Sequence, residues 1–367
     1  MKRDHYIDYL RAAATYGVIL WHCFSPVYYQ FGPLKEWGWA NIFFGCAIRW
    51  SVAVFVMVSG ALLLDKDEAP LVFYKKRLLR ICIPLISWTL IYGIARLYYF
   101  RVYTYHGLPK PSFFRYVIVD EFRDLLFNDL SYHLYFISII LGLYAITPFL
   151  SKMVKALSRK ELGALVAIGV SVYSVKLFLP RLIIADHFEI GSYLVYFLLG
   201  HYLYKYPPDK KLRWVIYVVG STAAIGMTWL NYNVEYIHKG HQDRYYSTDG
   251  FFIYALSIAV FTLFQHRIGS SRDGERRGWF SKIALFISSS SYGIYIAHPL
   301  LISFLIYGRF KFFSFSTSLS IISVGRYKIS FIMNNAWGAI VQSLIMMAIL
   351  LLFFYLVRKL RLIRFFT

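Results

Sequence analysis

The chain has 367 residues, of which 58% are hydrophobic, 20% are aromatic and only 16% are charged, and its mean hydropathy is +0.51. A soluble domain is typically about 45–50% apolar and roughly 25% charged, so a soluble protein of this length could not cover so much apolar surface. The composition excludes an ordinary soluble domain and predicts a polytopic membrane protein, and the net charge of +21 requires an explanation from the placement of the basic residues.

Apolar runs long enough to cross a bilayer recur along the whole chain. We expect about ten spans, near residues 6–28, 40–64, 81–103, 132–154, 161–179, 190–205, 213–231, 250–266, 283–307 and 332–357. Because the number is even, both termini lie on one side, together with most of the lysines and arginines. The positive-inside rule makes that side cytoplasmic, so topology accounts for the charge and we expect no nucleic-acid partner. The expected fold class is an all-α membrane bundle forming a single domain over residues 1–367.

The first predicted span places two ionisable side chains, Arg11 and His22, in hydrocarbon. Such a side chain costs about 2.5–3.5 kcal/mol at the bilayer centre and usually marks a functional interior. Eleven helical residues turn through about 1100°, so both side chains project from one face, about 16 Å apart along the axis. Asp8, one turn before Arg11, is placed to pair with it. The alternative is that Arg11 extends to the cytoplasmic interface and His22 is a hydrogen-bonded core residue.

Three later residues extend this polar set. His133 begins the fourth predicted span and His298 lies in the ninth, so both fall, like His22, in the outer third of the membrane. Arg49 lies in the middle of the second span, where it has little opportunity to reach water and is expected to face a cavity or a carboxylate. Taken singly, His133 and His298 are equally explained as an interfacial residue and a helix-packing residue. Three histidines at one depth favour a shared polar cavity.

A basic segment, KKRLLR at residues 75–80, leads into the third span. Lys76, Arg77 and Arg80 lie there at the cytoplasmic mouth, where guanidinium groups can hold a phosphate-bearing ligand through bidentate contacts. Ordinary positive-inside charge is the alternative explanation of the segment.

The three cysteines, Cys23, Cys46 and Cys82, lie within apolar runs and show no metal-ligand spacing. We therefore expect neither a disulfide framework nor a metal site. Cys23 is next to His22, but adjacent helical residues point about 100° apart. A small core residue is favoured over a Cys–His nucleophile.

Taken together, these motifs resemble those of the acyltransferase-3 family of integral-membrane acyltransferases. The matching features, in chain order, are Arg11-x10-His22, FVMVSGALLL (55–64), Arg77-x-x-Arg80, HLYFIS (133–138), FLLGHYLYK (197–205) and SYGIYIAHPLL (291–301). The chain is most similar to the shorter, membrane-only members, such as the enterobacterial common antigen O-acetyltransferase. It departs from many relatives at Tyr135, where they have tryptophan.

The resemblance implies an enzyme of the bacterial inner membrane, in contact with the lipid bilayer. Its members move an acyl group, usually acetyl from cytoplasmic acetyl-CoA, to a hydroxyl of a surface or exported polysaccharide or its lipid-linked precursor. Acetyl-CoA is then a co-substrate, and no bound cofactor is expected. The nature of the acyl group, the acceptor and the oligomeric state stay open.

Roles for individual residues follow from the same resemblance. It implies that His22 is the catalytic histidine and Arg11 its essential partner, and that Arg77 and Arg80, together with Lys76, hold the acyl-CoA donor. We predict that His22 is the base that takes the acceptor proton, or else carries the acyl group as a nucleophile. The acceptor side of the cavity is predicted to contain His133, His298, Arg49 and Tyr292.

A transporter or flippase for a lipid-linked sugar is the alternative function. About ten spans with buried arginine and histidine suit that function too. It predicts paired half-spans or inverted repeats, which the sequence does not show, and it assigns no task to the Arg11–His22 spacing. A receptor or structural membrane protein leaves the buried charges unexplained.

Overall fold

The computed structural model describes residues 4–31, 38–99, 134–175, 189–238, 245, 250–269, 278–305, 322–324, 327–329 and 336–367. The helices of this part of the chain are α1 (His5–Phe31), α2 (Gly38–Ile48), α3 (Trp50–Leu63), α4 (Pro70–Tyr99), α5 (Tyr135–Ala156), α6 (Arg159–Ser174), α7 (Glu189–Lys205), α8 (Lys210–His238), α9 (Phe251–Gly269), α10 (Trp279–Leu305), α11 (Ala336–Lys359) and α12 (Ile363–Phe366). Two three-residue strands, β1 (Ile322–Val324) and β2 (Tyr327–Ile329), pair antiparallel, with Ile322 opposite Ile329. The predicted all-α bundle is confirmed, and this pair of short strands is a small addition to it.

Six of the described helical segments are long and apolar enough to cross a membrane. They are Ile42–Leu63, Pro70–Ala95, Tyr135–Ala156, Phe251–Gly269, Trp279–Ile302 and Trp337–Lys359. Helices are the expected structures in lipid, because each backbone N–H and C=O group forms its hydrogen bond within its own segment. Four further helices, α1, α6, α7 and α8, coincide with the remaining predicted spans. The chain is a multi-pass membrane protein, and the side that each terminus faces stays a prediction.

Two helix boundaries differ from the sequence-based expectation. Helix α4 begins at Pro70 rather than near residue 81, because proline is well suited to a first helical turn and the basic segment continues directly into the span. The second predicted span is divided at Arg49, which keeps helical angles while Ser51 Oγ donates a hydrogen bond to the Ile48 carbonyl at 2.7 Å. The first difference matters for the site, since Arg77 and Arg80 become neighbours on one helix face.

Helix α1 lies at the centre of the bundle. It packs against α2, α3, α9, α10 and α11, so a polar residue on α1 is surrounded by protein rather than by lipid. This position is consistent with the burial of Asp8, which is only 6% exposed. Ionisable groups on this helix therefore face the bundle interior, as expected for functional side chains in membrane proteins.

Helices α3 and α7 approach each other more closely than ordinary side chains permit. The missing side chain of Gly60 leaves room for the Phe197 carbonyl, and that of Gly200 leaves room for the Met57 carbonyl. Small residues at such crossings are typical of membrane helices, where close packing replaces the hydrophobic effect as the driving force. The two glycines thereby hold α3 firmly against α7.

The C-terminal segment turns back beneath the bundle. Helix α11 ends where Arg361 adopts a left-handed conformation with φ 59°, and the Leu362 N–H donates to the Val357 carbonyl at 3.0 Å. Helix α12 then packs on α4, where the Phe366 carbonyl accepts a hydrogen bond from Trp88 Nε1 at 3.3 Å. This turn brings Thr367 to the edge of the cavity described next.

Candidate active site

A cavity of about 590 Å³ lies between α1, α3, α4, α5 and α10. Its polar wall contains the three arginines that the sequence predicts at the cytoplasmic mouth, Arg11, Arg77 and Arg80. Lys66, in the turn after α3, also lines the cavity. Apolar and aromatic side chains of α3 and α5 line the rest. The cavity is therefore a cationic space with an apolar extension, which suits a ligand with an anionic end and a thin uncharged arm.

Arg77 is the most deeply held cation of this cavity. It is 8% exposed, lies 5.6 Å from the Phe73 ring centroid, and has Nη2 3.7 Å from Glu68 Oε2. Its Nε and Nη2 atoms are buried, and no described residue forms a hydrogen bond to them. Arg80, one turn on, is exposed and lines the same cavity. Two guanidinium groups spaced in this way can bind a phosphate.

Lys76 lies outside this cavity, on the exposed side of α4. Its Nζ donates to Glu68 Oε1 at 3.1 Å. This hydrogen bond is the main cause of the lowered pKa of the Glu68 carboxyl; burial acts in the opposite direction, and the charge of Arg77 makes a smaller lowering contribution. Lys66 does line the cavity, where burial and then the charge of Arg77 lower the pKa of its ammonium group. Lys66 is therefore the lysine that the structure places beside Arg77.

Arg11 and Asp8 both line the cavity from α1. The Asp8 carboxylate accepts a hydrogen bond from Ser288 Oγ at 2.7 Å. The expected carboxylate beside Arg11 is thus present at the cavity, and a serine of α10 holds it in place. Because Asp8 is buried, this contact orients the polar wall formed by α1.

His22 and His298 come together from α1 and α10. Their ring centroids are 5.1 Å apart with an interplanar angle of 32°. His298 is fully buried, and its Nδ1 lies 2.6 Å from the Tyr295 carbonyl oxygen. Since a carbonyl only accepts, Nδ1 carries the hydrogen and Nε2 has the lone pair. The two rings are therefore in direct contact, and their common depth in the outer third of the membrane stays a prediction.

Arg49 also lies at the histidine end of the site. Its guanidinium carbon is 3.9 Å from the ring centroid of Trp21, the residue before His22. A cation held on the face of a tryptophan gains about 0.5–2 kcal/mol, so the indole holds this charge beside His22 on α1. Cys23, on the other side of His22, is buried with its Sγ 3.3 Å from Met346 Sδ, as expected for a core residue.

Two of the remaining predicted site residues have different outcomes. His133 lies outside the described residues, so its predicted place on the acceptor side stays a prediction. Tyr292 lines the cavity with the arginines and donates a hydrogen bond to the Ile81 carbonyl at 3.0 Å. Six helical residues separate Tyr292 from His298, which turns their side chains about 120° apart. Tyr292 therefore lies on the arginine side of the site.

Sequence reasoning did not select several residues that border the cavity. Arg358, at the end of α11, donates from Nη2 to Ser289 Oγ and to Ser290 Oγ, the latter at 3.3 Å, and lies over the Phe286 ring at 4.5 Å. Ser289 itself lines the cavity. The run of four serines from residue 288 is a visible signal for a polar helix face. The contacts of Arg358 could not be predicted, because the sequence does not distinguish it from the other basic residues of the C-terminal segment.

Comparison with known proteins adds one finding to this geometry. The sequence model of a family described as an acyltransferase domain matches residues 4–359. No curated protein and no solved structure matched the chain. The closer similarity to the enterobacterial common antigen enzyme therefore stays a prediction. The match covers nearly the whole chain and includes both the arginine cavity and the histidine pair. The chain belongs to the acyltransferase-3 family and is a multi-pass membrane acyltransferase.

Proposed function

We propose that the protein is an O-acetyltransferase of the bacterial inner membrane. It transfers acetyl from cytoplasmic acetyl-CoA to a hydroxyl of a surface or exported polysaccharide, or of its lipid-linked precursor. The observation that carries this proposal is that one site connects an arginine-lined cavity to a pair of histidines. Buried Arg77 and Tyr295 both line the cavity, and Tyr295 contacts His298, which contacts His22.

The arginine end supports binding of the nucleotide part of the donor. Arg77 has buried Nε and Nη2 groups that form no hydrogen bond to the described residues and have Glu68 only as a distant ion partner at 3.7 Å, and such donors are costly unless a ligand meets them. Arg80 and Lys66 bring two more cations to the same space. The phosphates of acetyl-CoA supply the complementary charge, and the apolar extension suits its pantetheine arm.

The histidine end supports proton transfer. In the proposed reaction His22 takes the proton of the acceptor hydroxyl while that oxygen attacks the thioester carbonyl carbon. The new C–O bond forms, the C–S bond breaks, and the imidazolium returns the proton to the departing thiolate as CoA-SH. Imidazole suits this task because its ordinary pKa lies near neutrality. His298 lies against His22 and holds a fixed tautomer, and Arg49 places a positive charge nearby.

Radiolabelled acetyl-CoA tests the proposal directly. It is supplied to inverted membrane vesicles from cells that make the protein, and label is counted in the glycan fraction. We expect label in the glycan of vesicles with the wild-type protein and only background with His22→Gln. Lys75→Met is the control variant, because Lys75 is exposed and does not line the cavity.

Two results would contradict the proposal. One is glycan movement across the vesicle membrane with no incorporation of label, which supports the transporter instead. The other is incorporation at the wild-type rate by His22→Gln in the same vesicles. Mass analysis of the host's surface glycans, with and without the protein, identifies the acyl group and its acceptor.

A further inference from the structure

A continuous series of five aromatic rings joins the cavity to the histidine pair. The rings belong to Phe55, Phe136, Tyr295, His298 and His22, which come from α3, α5, α10, α10 and α1. Successive ring centroids are 6.3, 5.5, 5.8 and 5.1 Å apart. We call this set the aromatic series. Rings at these separations are in ordinary packing contact, so the series contains no open channel between its members.

The members of the series divide into two groups by their access to the cavity. Phe55, Phe136 and Tyr295 line it, whereas His22 and His298 do not. Three rings of the series therefore form part of the cavity wall, and the histidine pair lies behind Tyr295, in contact with it through His298. Within the part of the chain that the structure describes, the connection from the cavity to His22 runs through these rings, so an acyl group from the arginine end would enter the space that they occupy or border.

The physical cost of that passage rises with the size of the acyl group. Phe55 and Phe136 are partly buried and Tyr295 is 7% exposed, so each ring is packed on at least one side. A two-carbon group needs only a small rotation of neighbouring rings, but every further methylene must displace packed atoms. One methylene in an apolar pocket typically changes selectivity by about 10- to 200-fold.

Charge adds a second restriction. A carboxylate at the end of an acyl chain would lose its water among two phenyl rings and one phenol; a single tyrosine hydroxyl replaces neither the hydration shell nor a counter-charge, and burial of such a charge is strongly unfavourable. The series is therefore suited to short, uncharged acyl groups. It disfavours long chains by volume and succinyl by charge.

We infer that Phe55, Phe136 and Tyr295 form a size filter that restricts the donor to acetyl-CoA or a thioester of similar size. This inference rests on the proposed function, since it concerns the donor of that reaction. It assigns specificity to residues that touch the moving acyl group rather than to the arginines, which bind the part that all CoA thioesters share.

The test compares acyl groups in one assay. Initial rates of transfer to glycan are measured in membrane vesicles of the native host, with labelled acetyl-CoA, butyryl-CoA and succinyl-CoA in turn. Phe136→Leu and Tyr295→Leu widen the filter, and Tyr295→Leu keeps the backbone carbonyl that meets His298. Phe264→Leu is the matched control, because Phe264 is also a partly buried ring but does not line the cavity.

We expect the wild-type protein to favour acetyl over butyryl by at least about tenfold, and each widened variant to reduce that ratio about tenfold. The control keeps the wild-type ratio. The size filter is overturned if both widened variants keep that ratio. It is equally overturned if both lose transfer of all three groups while their folded amounts match the control. A wild-type protein that transfers none of the three groups contradicts the proposed function itself.

Discussion

The two ends of the site treat charge in opposite ways. At the arginine end, Arg77, Arg80 and Lys66 gather in a cavity with Asp8 as their buried carboxylate neighbour. At the histidine end, two imidazole rings lie against each other, and the cation of Arg49 is held on an indole face. The comparison teaches that the cluster of cations and the pair of imidazoles occupy separate places, joined by aromatic rings; in the proposed function the first binds the charge of the donor and the second transfers the proton.

This separation has a physical reason. Strong phosphate binding needs several cations close together, and a histidine among them would be held unprotonated and would lose its freedom to accept and return a proton. Distance along α1 keeps the two tasks apart, since Arg11 and His22 are about 16 Å apart on the helix axis. Changes at one end are therefore expected to affect a different kinetic parameter from changes at the other.

The largest effect is expected from His22→Gln at the histidine end. Loss of a general base typically lowers the rate by about 100- to 10,000-fold, and acetyl-CoA binding should stay unchanged because the arginine cavity is intact. The measurement is the initial rate of label incorporation, with donor affinity measured on the same preparation. His266→Gln, on α9 outside the cavity, is the control. A fall in donor affinity as large as the fall in rate would break the comparison.

At the arginine end, Arg77→Met is expected to raise the KM for acetyl-CoA with little change in kcat. Hydrogen bonds to a charged group contribute about 1.5–3 kcal/mol, which corresponds to roughly 10- to 100-fold in KM. Lys76→Met removes a cation outside the cavity and should change KM less than about threefold, as exposed pairs do. Equal effects of the two variants would show that the segment acts only through its total charge.

A smaller effect is expected from Arg358→Met, which removes the contacts to Ser289 and Ser290. If loss of these hydrogen bonds weakens acetyl-CoA binding by about 1 kcal/mol, the KM for acetyl-CoA rises about fivefold. Steady-state kinetics with varied acetyl-CoA provides the measurement, and Lys359→Met on the exposed face is the control. A change in kcat alone would place Arg358 with the histidine end instead.

The smallest effect is expected from Glu68→Gln, which releases Arg77 from its ion pair and leaves its guanidinium group to the phosphate. We expect the KM for acetyl-CoA to fall about twofold, since pairs of this exposure are weak. The pKa of Glu68 is lowered by the Lys76 hydrogen bond, so its pairing is complete above the ordinary glutamate range and is lost as pH falls through the lowered pKa. KM profiles of variant and wild type should therefore run parallel between about pH 6 and 8. Profiles that converge within that window would contradict this assignment.

The helices and the polar residues of α1 and α4 could be predicted from the sequence, because both depend on local patterns. Apolar runs of sufficient length define spans, and the spacing of Arg77 and Arg80 places them on one face once the segment is helical. The shared depth of His22 and His298 also follows from counting residues along each span. These features need no knowledge of which helices are neighbours.

The contacts between helices could not be predicted in the same way. The ring contact of His22 with His298 requires α1 and α10 to be adjacent, and no local pattern specifies that. The hydrogen bond from Ser288 to Asp8 and the approach of Arg358 to the serine run depend on the same kind of information. Tyr295 is the residue that counting could have found, since it lies about one turn before His298 on α10.

The glycine contacts between α3 and α7 have a mechanical consequence for the cavity. Backbone meets backbone at Gly60 and Gly200, so α3 has no compressible side chains behind it at these points. Phe55, Ser59 and Leu62 line the cavity from this same helix. A bound donor could displace α3 only by disrupting its close backbone contacts with α7. We therefore expect the cavity to adjust to the size of its ligand through movements of α1, α4, α5 and α10, while α3 stays in place.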